Sequence, residues 1–222
     1  MEKNENKGIS RRKFIGNVSL ATAGITILPS HVIGGLGHVA PSDKLNIAGI
    51  GVGGVGGTNI NNCNSQNIVA LCDVDWDYAS GTFDKYPDAK KYKDYRKMFD
   101  EMGDNIDAVV IATPDHTHAI TASHAMKLGK HVYLQKPLTH SIFESRYLSK
   151  LALKHNVATQ MGNQGNSGEG IRHICEWIWD GAIGEIFEAY AWTNRPIWPQ
   201  GLERPLETPS LPPTLDWDLF IG

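Results

Sequence analysis

Cysteine is scarce in this chain, and its placement gives it little to cross-link. The three copies, Cys63, Cys72 and Cys175, are far apart, odd in number, and form neither a CxxC pair nor a Cys/His ligand spacing. That excludes a disulfide-stapled scaffold or a zinc ribbon and leaves structural thiols, with one disulfide between two of them as the alternative. An excess of either charge is also missing: 21 Lys and Arg stand against 24 Asp and Glu, for a net charge of −3. Without a polybasic face, neither nucleic acid nor an anionic membrane is expected as a partner. Long apolar runs are lacking too. The run from Val18 to Leu28 is interrupted by Ser19, Thr22, Gly24 and Thr26 and followed by Pro29, short of the ~20 apolar residues of a spanning helix. No internal repeat or low-complexity tract is present.

What the chain does have is glycine, 23 residues of it in 222, and a paired arginine near its start. Ser10-Arg11-Arg12-Lys13-Phe14-Ile15-Gly16 ahead of the weakly apolar run reads as a twin-arginine signal. It implies export by the twin-arginine machinery in a folded state, to the periplasm or beyond. Residues 1–40 are therefore read as signal and linker, which leaves enough chain for one nucleotide-binding domain and part of a second.

From Lys44 onward, short apolar runs alternate with helix-like stretches, the pattern of a parallel sheet covered on both faces. Strands are expected over Lys44–Ile50, Asn67–Cys72, Ala108–Ala112, His131–Leu134 and Ala158–Met161. Helices fit between them at about Gly54–Asn62, Tyr95–Met102, His116–Leu128 and Ser141–His155, with Gly129 and Asn156 at C-terminal caps. This is a Rossmann domain over 41–162. Beyond it lie a glycine-rich loop, a helix around Ile171–Trp179 and a strand-like Glu185–Thr193. Of the six tryptophans, Trp177 and Trp179 are assigned to core, while Trp198, in the polar, proline-bounded loop with Arg195, is the substrate-side candidate.

The first turn of the expected sheet reads Gly51-Val52-Gly53-Gly54-Val55-Gly56 after a strand, fitting G-x-G-x-x-G. Gly51 permits the tight turn, Gly53 leaves room for a pyrophosphate against the backbone, and Gly56 lets helix and strand approach closely. The helix N-terminus then offers N–H groups to the phosphates. Asp73 ends the second strand, where a carboxylate accepts both ribose hydroxyls and repels a 2′-phosphate, so NAD is expected over NADP. Asp75 is the reserve candidate for that role.

Further on, Ala112-Thr113-Pro114-Asp115-His116-Thr117-His118 and Gly129-Lys130-His131-Val132-Tyr133-Leu134-Gln135-Lys136-Pro137-Leu138 follow successive strands. With these two motifs in order, the chain resembles the Gfo/Idh/MocA oxidoreductases from about Lys44 to Gly222. The resemblance implies that Thr113 and Pro114 line the nicotinamide side of the pocket, that Lys136 is the active-site lysine, and that 163–222 begins an α+β open-sheet C-terminal domain for substrate binding and oligomerisation. An ammonium beside the alcohol that loses hydride stabilises the developing alkoxide and relays a proton. Gln135 stands where the family usually has glutamate; its amide is expected on ribose or nicotinamide. Gln164 is a candidate near the nicotinamide. Asp115, His116 and His118 invite a metal reading, but helix capping by Asp115 and a cofactor-side contact by His118 are preferred.

The family's second catalytic group, a histidine with a nearby aspartate, would follow Leu215-Asp216-Trp217-Asp218, so the chain is expected to be truncated in its C-terminal domain. An exported enzyme cannot exchange its dinucleotide with a free pool. The expected function is an NAD-dependent oxidoreductase acting on a hydroxyl of a sugar, cyclitol or glycoside, with a tightly bound, internally recycled cofactor. NAD-dependent glycoside hydrolysis through a transient keto-sugar and a catalytically silent nucleotide-binding protein are the alternatives. A homo-oligomer, built through the family's open C-terminal sheet, is expected of the full-length protein.

Overall fold

In a computed structural model the apolar runs line up side by side, all in one direction. The structure describes residues 43–194 and 201–222, and the account below concerns the unit from Leu45 to Gly222. Six parallel strands are β1 (Asn46–Ile50), β2 (Asn67–Cys72), β3 (Lys90–Tyr92), β4 (Ala108–Ile111), β5 (His131–Gln135) and β6 (Thr159–Gly162), in the order β3-β2-β1-β4-β5-β6. The connecting helices are α1 (Gly54–Asn61), α2 (Ser80–Lys85), α3 (Tyr95–Met102), α4 (His118–Lys127) and α5 (Ile142–His155). This is the doubly wound Rossmann arrangement, with the strand order reversing between β1 and β4.

Successive side chains of a strand point to opposite faces, and the core divides accordingly. Ala48, Ile50, Val109 and Ile111 pack with Met98, Phe99, Met126 and Leu148 on the face covered by α3, α4 and α5. Ile47, Leu71 and Val110 pack with Ile60 and Phe83 on the face covered by α1 and α2. Met98 and Ile60 are completely buried, and truncating either to alanine removes about 2–5 kcal/mol by transfer loss and cavity formation.

Within the sheet domain two elements were not expected from the sequence. β3 is only Lys-Lys-Tyr and has no apolar alternation; it is an edge strand, held by its ladder to Ala70–Cys72, where lysine is the ordinary guard against further pairing. α2, Ser-Gly-Thr-Phe-Asp-Lys, contributes a single buried side chain, Phe83, too little for a periodic signal. The start of α4 also differs. Asp115–Thr117 is a 3₁₀ turn, the helix begins at His118 after Thr117, and no side chain caps it, so Asp115 has no capping role. By contrast α5 opens with a full capping box, Ser141 with Glu144, and closes on Asn156 in the left-handed conformation.

After β6, a 3₁₀ turn (Gln164–Ser167) leads to α6 (Glu169–Trp179). Glu185–Thr193 carries no strand assignment among the described residues. Trp177 and Trp179 are 60% and 82% exposed rather than in a core: nothing among the described residues covers that face. The chain then returns to the sheet edge. Asp216 N–H donates to the Val74 carbonyl (2.9 Å), Leu215 forms a bridge with Asp75, and the short helix α7 (Trp217–Ile221) follows, its N-cap Asp216 accepting from Leu219 N–H. The cysteines are free thiols.

Candidate cofactor and active site

The parallel order places the C-terminal ends of β2, β1, β4 and β5 in a row, and the glycine turn, Asp73, Thr113, Pro114, Gln135 and Lys136 lie at or just after those ends. Gly51 follows β1 with φ +75°, a conformation costly for any side chain, and a Cβ there would lie 2.8 Å from the Ala112 carbonyl. A Cβ on Gly56 would lie 1.7 Å from the Gly51 carbonyl oxygen, so helix α1 meets the turn as closely as only glycine permits. Val52 is completely buried beneath the turn, and α1 opens at Gly53 without a side-chain cap, the arrangement that leaves first-turn N–H groups for an anion. Val55 is exposed toward the cleft.

The space over Gly53 and Gly54 is taken by a side chain that sequence reasoning missed. A Cβ on Gly53 would meet the Tyr78 ring at 2.2 Å, and one on Gly54 its hydroxyl at 2.5 Å. Tyr78 is 68% exposed, so its ring can rotate off the turn without disturbing the core. Asp73 is buried at the end of β2. Its Oδ2 accepts from Gly53 N–H (2.9 Å) and its Oδ1 from Asp75 N–H (3.0 Å). Burial raises its pKa above the ordinary aspartate value, the neighbouring Asp75 charge adds to this, and the N–H donors oppose it. Asp75 itself accepts from the N–H groups of Asp77 and Tyr78, so it shapes the loop beside Asp73.

These residues border a cleft of about 430 Å³ that continues to Tyr95 and Arg96 at the start of α3, Thr113 and Pro114 after β4, and Ile120 on α4. The Arg96 guanidinium is engaged by Asp94 at 2.9 Å. Leu215, Leu219 and Phe220 of the returning chain close the far side. Nothing local in the sequence marks Tyr78, Tyr95 or this returning segment as part of the site; their involvement is set by distant packing.

Lys136 follows β5 with its side chain exposed at the same edge, and a cis peptide bond joins it to Pro137. Gln135 is buried; its Oε1 accepts from Lys136 N–H (3.1 Å), while its Nε2 is buried without a partner among the described residues. Thr113 Oγ1 is likewise buried and unpartnered. His118, expected to touch the cofactor, is 1% exposed and faces two backbone carbonyls, with Nδ1 2.6 Å from Pro137 O and Nε2 2.8 Å from Thr113 O. Both ring nitrogens are thus taken up by backbone carbonyls. No polar atom of the ring is left for a cofactor; His118 instead ties the loop after β4 to the loop after β5. His116 Nε2 lies 2.9 Å from the Phe220 carbonyl. Among the described residues no group of His, Cys, Asp or Glu is arranged to hold a metal ion. Gln164 is not in the cleft; it borders a separate cavity with Asn59, Tyr133 and Gln160. Arg195, Trp198 and the Arg11-Arg12 pair lie outside the described residues. No helix among the described residues is long and apolar enough to cross a membrane.

A dinucleotide fits these residues. The glycine cradle would be filled by any Cβ, a buried carboxylate ends β2, and the amide of Gln135 and the hydroxyl of Thr113, at the ends of neighbouring strands, are buried without partners among the described residues.

Comparison with known proteins agrees. Residues 45–163 match the model of the oxidoreductase family with an NAD-binding Rossmann fold. An inositol 2-dehydrogenase of Rubrobacter xylanophilus is 33% identical over 109 residues, 47% of this chain and 30% of the relative. A glycosyl hydrolase family 109 protein of Shewanella pealeana is 25% identical over 207 residues, 82% of this chain and 45% of the relative. The solved myo-inositol 2-dehydrogenase of Lactobacillus plantarum superposes with a TM-score of 0.59 at 26% identity, covering 64% of this chain and 43% of that one. The chain thus spans less than half the length of each of these proteins. By its strand order, its glycine turn and the match over 45–163, the chain belongs to the Gfo/Idh/MocA oxidoreductases, as a bearer of their NAD-binding Rossmann domain.

Proposed function

We propose that this chain is the NAD-holding part of an oxidoreductase that acts on a hydroxyl of a sugar, cyclitol or glycoside. The observation that carries the reading is the convergence on one sheet edge of the glycine turn Gly51–Gly56, the buried Asp73 and the exposed Lys136. Bound there, NAD would supply a hydride acceptor. The turn and the N-terminus of α1 would hold its phosphates, Asp73 its ribose hydroxyls, and Thr113, Pro114 and Gln135 its nicotinamide side. Lys136 Nζ would stabilise charge on the substrate oxygen and move its proton. His118 keeps the loops bearing Thr113 and Lys136 at a set separation. The inositol 2-dehydrogenase and a levoglucosan dehydrogenase of Pseudarthrobacter phenanthrenivorans, 31% identical over 93 residues, favour a polyol or sugar substrate.

A second reading, redox-neutral cleavage of a glycoside through a keto-sugar, is favoured by one observation. The family 109 relative aligns over 82% of this chain, well beyond Gly162, whereas the inositol dehydrogenase aligns over 47%. The Arg11-Arg12 leader supports export with the nucleotide already bound, which suits an internally recycled cofactor. The test uses the protein from its native host, isolated from the periplasm and denatured, with the released small molecules identified by mass spectrometry. Stoichiometric NAD or NADH is expected; an empty, folded protein would overturn the captive cofactor. Assay with cyclitols and with chromogenic glycosides then separates net dehydrogenation from hydrolysis without change in nicotinamide absorbance, and Lys136→Ala is expected to lower either activity by about a hundredfold or more.

A further inference from the structure

The cleft beside Asp73 has a wall that the Rossmann fold does not provide. Thr214 to Ile221 comes after the domain has ended, yet it is fastened to both lips of the cleft. On the β2 side, Asp216 N–H donates to Val74 O (2.9 Å), Leu215 bridges to Asp75, and Lys93 Nζ donates to Thr214 O (3.3 Å). On the β4 side, the exposed His116 donates from Nε2 to Phe220 O (2.9 Å), its ring edge-on to that of Phe220 at 5.9 Å. Trp217 stacks on Phe220 from outside at 5.5 Å between centroids. Between these fastenings Leu215, Leu219 and Phe220 line the cleft together with Val74, Pro114 and Ile120.

The return segment meets the cleft at Val74 and Asp75, directly after Asp73 and not at the glycine turn, so the group reaching it is the one attached to the ribose that Asp73 would hold. A group flat and mainly apolar on its faces suits a cleft lined by these aliphatic and aromatic side chains. A purine base meets both conditions. We propose that the return segment is the adenine wall of the dinucleotide site, with Leu219 and Phe220 as determinants of nucleotide affinity and His116 as the residue that positions them. The inference rests on the dinucleotide reading above and deepens it: a site that is otherwise a groove between two lips becomes a slot closed by a strap from the following domain.

The test is titration calorimetry on the full chain with NAD, with ADP and, separately, with nicotinamide mononucleotide. The parent is expected to bind ADP, and the Leu219→Ala/Phe220→Ala double variant to bind it about tenfold more weakly, as loss of two apolar contacts implies, with nicotinamide mononucleotide unaffected. His116→Ala leaves the cleft lining in place and removes only the tie to the Phe220 carbonyl; it is expected to weaken ADP in the same direction, by about threefold, at an exposed position where folding is not at stake. ADP affinity unchanged in both variants would overturn the adenine wall while leaving the dinucleotide reading intact. A parent that binds neither ADP nor NAD would overturn the dinucleotide reading itself, and the wall with it.

Discussion

Asp73 holds two backbone N–H groups while buried, and the balance between them sets how the cleft responds to pH. Its pKa is raised, chiefly by burial, so the folded chain holds this proton more tightly than the unfolded one. The stability it contributes is full at low pH and is lost as pH rises through the raised value. For the ligand the sign is opposite: a protonated Asp73 loses an acceptor for ribose hydroxyls, so NAD affinity falls on acidification, beginning above the ordinary aspartate range. Titration of NAD binding against pH is expected to show this acid limb in the parent and not in Asp73→Asn. An identical limb in the variant would assign it to another group. Residues such as Gly51, Gly56 and Asp73 were legible in the sequence because their job is local: a turn, a close approach, the end of a strand. His118 was misread because its partners, Thr113 O and Pro137 O, belong to two separate loops, and the type of a residue does not state whom its ring faces.

Among the elements, those with their own apolar pattern or caps were legible and those held by neighbours were not. α5 was expected almost to the residue, since Ser141, Glu144 and Asn156 announce both ends. β3 and α2 owe their form to β2 and to Phe83, and the expected strand over Glu185–Thr193 is not formed among the described residues. The capping box gives a direct check. Ser141→Ala removes the side-chain acceptor for Glu144 N–H and is expected to cost about 1 kcal/mol, lowering the melting temperature in thermal denaturation; Ser141→Asp, which keeps an acceptor, should restore it. No change in either variant would mean that packing of Leu148 and Leu151 alone sets the stability of α5.

At the scale of the whole molecule, the Rossmann unit is finished on both faces while the segment after it is not. Ile171, Ile174, Trp177 and Ile178 fall on one side of α6 and stay exposed, and Phe187 and Trp192 beyond it are 95% and 87% exposed. Apolar surface on this scale binds hydrophobic dyes and other copies of itself. The isolated chain is expected to enhance the fluorescence of anilinonaphthalene sulfonate and to scatter more light per molecule as concentration rises, and Trp177→Ser/Phe187→Ser to reduce both. Weak dye binding by the parent would mean that this face is covered in solution. The strap has a consequence of another kind, in the order of synthesis. Lys93 and Thr214 are 121 positions apart in the chain, so a ribosome completes the sheet and the glycine turn well before it has made the residues that cross the cleft. A nucleotide entering early meets an open groove, and one entering late must pass a bar already in place. If the strap forms the wall proposed above, loading would be easiest during a window in translation, before these residues leave the exit tunnel.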